Sequence, residues 1–80
     1  MRLYLQTLPD GAAPQRYYQL ALEQDLLGGW TLVREWGTPG AKPGGRREVY
    51  LERDAALAAF EAARDAQIRR GFRVMFAQGA

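Results

Sequence analysis

The sequence predicts an α+β fold: a small, mostly antiparallel β-sheet of about five strands with one α-helix packed on one face. Two observations carry this. Apolar residues recur at every second position in several short runs, as in strands that show one face to a core and the other to water. One stretch, residues 55–70, instead combines strong helix propensity with apolar residues at helical spacing and no interior glycine or proline. The connections between the runs are short, which favours antiparallel neighbours.

Taken in order, Leu3 and Leu5 alternate with Arg2, Tyr4 and Gln6, giving a strand over about residues 2–8. Pro9-Asp10-Gly11 reads as a turn and the loop continues to Gln15. A second strand covers 16–23, with Tyr18, Leu20 and Leu22 on one face and Tyr17, Gln19 and Ala21 on the other. Gly28-Gly29 then supplies a tight turn. The third strand, 30–36, is rich in β-branched and aromatic residues and puts Trp30, Leu32, Arg34 and Trp36 on one face. Residues 37–45 hold four glycines and two prolines and read as a loop. The fourth strand covers 46–52, and Tyr17 and Tyr50 are expected on the open face of the sheet. Asp54 is the expected N-cap of the helix. Leu57, Phe60 and Ile68 form its expected apolar side, flanked by Ala56 and Ala63, and Gly71 ends it. Phe72, Val74 and Phe76 alternate with Arg73 and Met75 in a last short strand, and 77–80 reads as a frayed tail.

The 80 residues make one small domain, 1–80, with neither cysteine, histidine nor serine. Disulfides and Cys/His zinc sites are therefore excluded, as is a Ser-His-Asp nucleophile. The commonest general base near neutral pH is missing too, which argues against an enzyme. No cofactor is implied. The net charge is +2 with a pI near 9.4, a mildly basic balance. No apolar run is long enough to span a bilayer and the N-terminus has no signal-peptide pattern, so the chain reads as cytoplasmic, with no membrane partner.

Chemistry concentrates in the run Trp30-Thr31-Leu32-Val33-Arg34-Glu35-Trp36-Gly37-Thr38 and the glycine-rich loop after it. Trp36 has two readings, a packing residue or an aromatic that stacks on nucleic acid. Arg34, two residues earlier on the same face, either binds phosphate or pairs with Glu35 or Glu52. Lys42, Arg46 and Arg47 flank or occupy the loop, where cations and free backbone N–H groups can grip phosphate; the alternative is a solvated hairpin loop. The loop lacks the Gly-Lys-Thr/Ser ending of a nucleotide-binding P-loop. Arg69, Arg70 and Arg73 form a second basic cluster at the helix end, partly explained by the helix dipole.

The order and spacing of Tyr17-Tyr18-Gln19-Leu20, Leu32-Val33-Arg34-Glu35-Trp36-Gly37-Thr38 and Gln67-Ile68-Arg69-Arg70-Gly71-Phe72 resemble the WGR domain family, including its short stand-alone bacterial members. Two positions depart from the family pattern: Thr38 stands where it has arginine, and Gln67 where it has lysine. The resemblance implies a WGR-like fold and a non-enzymatic nucleic-acid-binding module for DNA ends or nicked duplex. Of the family's site residues it implies only Trp36, packing on the nucleic acid; the rest of the expected site, Gly37, Arg34, Lys42, Arg46 and Arg47, is read from composition and position around that tryptophan and the loop. The partners expected are DNA and a larger DNA-processing protein or a second copy of the chain. The alternative is a protein-interaction or self-association module that has lost DNA binding.

Overall fold

The computed structural model describes residues 1–9, 11 and 13–79. Among these the chain runs β1 (Arg2–Thr7), β2 (Tyr17–Gln24), β3 (Trp30–Gly37), β4 (Gly44–Tyr50), α1 (Arg53–Arg69) and β5 (Phe72–Gln78). The strands form one antiparallel sheet in the order β4-β3-β2-β1-β5. Short connections keep β1 to β4 side by side. The helix then carries the chain from the β4 edge to the opposite edge, where β5 pairs with β1. It must cross one face to do so, and it packs against β2, β3, β4 and β5 on the way. The turn expected at Pro9-Asp10-Gly11 includes Asp10 and lies outside the described residues.

The core is what this crossing encloses. Leu5, Leu20 and Leu32, one from each central strand, are completely buried. Tyr18, Leu22 and Phe72 join them from the sheet, and Ala56, Phe60 and Ala63 from the helix. The helix stripe is Ala56, Phe60, Ala63 and Gln67, at successive steps of four, three and four residues. Its alanines let the helix lie close to the strands.

Several expectations are corrected. The helix starts at Arg53, and its N-cap position is Glu52, whose side chain makes no capping bond. Asp54 lies instead in the first turn, where its charge meets the positive end of the helix dipole. Ile68 is exposed and Leu57 half-buried, because the stripe follows Gln67 and one further residue rotates away from the sheet. Gly44 and Gly45 belong to β4, paired with Trp36 and Glu35, so the loop shrinks to residues 38–43. The amide of Ala41 donates to the Thr38 carbonyl at 3.0 Å within it, and Pro39 followed by Gly40 at φ +85° fits a type II turn. Tyr50 faces the helix and packs against the core, whereas Tyr17 is on the open face as expected.

The last strand departs most. Tyr4 pairs with Phe76 but Leu5 pairs with Val74, so Met75 is an extra residue in β5. This bulge reverses the alternation. Val74 shares the helix side with Leu5, while Phe76 moves to the open face beside Tyr4. The strand also continues through Ala77 and Gln78, which pair with Leu3 and Arg2.

Thermal unfolding checks the helix assignment. Phe60→Ala should cost about 3–5 kcal/mol, enough to unfold much of so small a domain. Ile68→Ala should stay within about 0.5 kcal/mol of wild type. Equal losses would place Ile68 back in the core.

Candidate nucleic-acid interface

The end of the sheet where α1 stops is not fully covered. The C-terminal end of β3, the starts of β2 and β5 and the last helical turn enclose an open groove of about 560 Å³ there. Its floor is aromatic. Trp36 pairs with Tyr18 across β3 and β2, and the two rings lie 5.7 Å apart at 13°. Tyr18 meets Phe72 edge-on at 6.1 Å. Tyr18 and Phe72 are buried, but Trp36 remains 38% exposed, so the indole is the part of this floor that meets solvent. Gly44, its partner on β4, makes that position possible: a Cβ there would fall 2.6 Å from the indole Nε1.

The rim is basic. Arg16 holds its guanidinium over the Phe72 ring, 5.4 Å from the centroid. Arg46 from β4 and Arg70 from the helix end line the same groove. Arg34 also lines it but is committed elsewhere, its Nε 2.6 Å from Glu48 Oε1, with both side chains about four-fifths buried. Neither atom has a hydrogen bond of good alignment among the described residues, so the contact is an ion pair held by charge. Burial disfavours the Arg34 charge, yet the Tyr18 side chain and Glu48 outweigh it, and the guanidinium is held more firmly protonated than usual. Tyr50 donates to Glu48 Oε2 at 3.0 Å, and burial together with that bond pushes its hydroxyl pKa up. Arg46 stands 4.0 Å from Glu48 with its side chain two-thirds exposed, so its charge remains available to an anion.

Trp36, Gly37, Arg34 and Arg46 are therefore brought together at one groove. Lys42 is exposed in the turn between β3 and β4 and does not line it. Arg47 pairs with Val33 and lies on the opposite face of the sheet. Arg34 pairs with Glu48 on the neighbouring strand rather than with Glu35 or Glu52. The sequence offered no signal for Arg16, whose position depends on strand pairing. Arg70 belonged to the basic cluster at the helix end. Thr38 and Gln67, the two departures from the family pattern, line this one groove together.

The open face differs in character. Tyr4 and Tyr17 stack at 6.1 Å, and the Tyr17 hydroxyl donates to Glu35 at 3.3 Å. The depression there carries Glu23 and Glu35 with Arg2, which stands 3.9 Å from Glu23, so it lacks the basic rim of the groove.

The fold and the basic aromatic groove define a small α+β binding domain. A family model for the WGR domain matches residues 1–76, and the chain belongs to that family. This is a nucleic-acid-binding family, of binding rather than catalytic domains. No curated protein and no solved structure matches the chain. Among the described residues, no helix is long and apolar enough to cross a membrane.

The contact between Trp36 and Gly44 can be read by fluorescence in a Trp30→Phe background. Gly44→Val should displace the indole, shift its emission and cost about 1–3 kcal/mol by overpacking. Unchanged emission and stability would mean that the indole does not lie over Gly44.

Proposed function

We propose that this chain is a non-catalytic nucleic-acid-binding module that receives DNA ends or nicked duplex in the groove beside Trp36. The observation that carries this reading is an exposed indole on an aromatic floor, with Arg16, Arg46 and Arg70 around it. A break in a duplex uncovers the flat surface of a terminal base and sugar that intact duplex hides. An indole fixed by Tyr18 and Gly44 offers a matching flat surface at small entropic cost. The three arginines supply the sequence-independent grip on phosphate oxygens. Arg34, paired with Glu48, acts mainly by holding β3 to β4 beneath the indole. Lys42 meets backbone phosphate beyond the groove, and Arg47 faces away from it.

The measurement is fluorescence anisotropy of labelled nicked, blunt and single-stranded DNA over a salt series. Four phosphate contacts, from the three arginines and Lys42, give a slope of log K against log salt of roughly −3.6. Arg16→Ala, Arg46→Ala and Arg70→Ala should each weaken binding and reduce that slope by about 1, while Arg47→Ala changes neither. Trp36→Ala should weaken binding to ends and nicks more than to intact duplex. Thr38→Arg, which adds a cation to the groove wall, should strengthen binding. No binding at low salt by the folded wild type would overturn the reading.

A further inference from the structure

The end of the sheet opposite the groove carries a feature that neither the core nor the groove uses. Residues 25–29 join β2 to β3 in a turn that is fixed in place. The Asp25 amide donates to the Gly29 carbonyl at 2.8 Å, and Asp25 Oδ1 accepts from the amides of Leu27 and Gly29, both at 2.8 Å. Gly28 takes φ +87°, a conformation that a residue with a side chain rarely adopts. The result is a rigid tip that holds Leu26 and Leu27 wholly in solvent, at 104% and 97% exposure. Pairing of Trp30 with Tyr50 brings Leu51, 85% exposed, to the same end. Two adjacent leucines held out by a hydrogen-bonded turn are a costly way to connect two strands and a ready-made apolar plug.

The charges around the tip are mainly acidic. Glu23, Asp25, Glu52 and Asp54 lie at this end of the sheet and helix. Of the nearby cations, Arg53 is drawn over the Trp30 ring at 5.8 Å, and Arg2 stands 3.9 Å from Glu23. An anionic lipid surface would repel such a tip. A pocket that accepts it needs an apolar floor, a basic rim and room for two leucines. The groove at the other end has Trp36 and Phe72 below, Arg16, Arg46 and Arg70 around, and about 560 Å³ of open volume. Within one molecule the two cannot meet, because β3 separates them by its length, about 25 Å for eight extended residues.

We propose that the Asp25–Gly29 tip of one copy docks into the basic aromatic groove of a second copy. The apolar plug meets the aromatic floor, and the acidic flank meets the arginine rim. Such a contact uses different surfaces on the two partners, so each bound copy still presents a free tip and a free groove. Association then continues into open chains unless its rotation closes a ring. This inference concerns the same groove but does not require that nucleic acid bind there.

Sedimentation velocity and light scattering over a concentration series, up to roughly millimolar protein at low salt, provide the test. The wild type should grow in mass with concentration past the dimer, and should shrink as salt screens the charges. A Leu26→Asp/Leu27→Asp variant (tip lost, groove intact) and an Arg46→Glu/Arg70→Glu variant (groove altered, tip intact) should each be monomeric, with circular dichroism confirming that both fold. Mixed together they retain one working tip and one working groove, and should form a one-to-one dimer that grows no further. A wild type that stays monomeric throughout, a tip variant that associates like wild type, or a mixture that forms no dimer would each overturn the proposal. DNA binding by the tip variant separates the two readings, since the tip is remote from the phosphate contacts.

Discussion

A single alanine-rich helix has to close one face of a five-stranded sheet while carrying the chain from one edge to the other. At about 1.5 Å per residue, its 17 residues span roughly 26 Å. That length reaches across the strands but does not blanket them. Ala56 and Ala63 bring it down onto the sheet, and Phe60 fills the space left between Leu5, Leu20 and Leu32. Where the helix stops, at Arg69, the last turn covers Tyr18 but leaves Trp36 partly open to solvent. The groove is the uncovered remainder of the core, which is why its floor is aromatic rather than polar.

The central strands β1, β2 and β3 were legible because each buries one face, and burial on one side leaves an alternating pattern. Helix propensity and the Gly71 stop were local signals for the same reason. What failed to show depends on partners distant in sequence. The extra residue at Met75 is visible only against β1, where Leu5 meets Val74 and Tyr4 meets Phe76. Ile68 reads as core by hydropathy, but the rotation of the helix is set by Ala56, Phe60 and Gln67. Gly44 and Gly45 carry no strand propensity and are strand because Trp36 and Glu35 lie opposite.

The candidate site divides along the same line. Trp36 and Gly37 stood out through a motif. Arg46 and Arg47 were expected in the site together; the register that puts Arg46 on the face of Trp36 and Arg47 on the other comes from pairing with Arg34 and Val33. Arg16 precedes β2 and reaches Phe72 through the pairing of β1 with β5, a relation across more than fifty residues. The groove that Thr38 and Gln67 share has a similar origin. Two departures from the family pattern that look unrelated along the chain line one groove. A chain with a net charge of only +2 can still be strongly polarised when its arginines gather at the helix C-terminus and its carboxylates at the other end.

The close approach of Trp36 to Gly44 has an evolutionary corollary. The indole occupies the space that a side chain at position 44 would need, so the two positions form one volume shared between two strands. Neither can drift independently. Among homologues that keep this register, a bulkier residue at 44 should coincide with a smaller one at 36. The glycine, which carries no functional group of its own, then becomes a marker of whether a relative retains its exposed tryptophan.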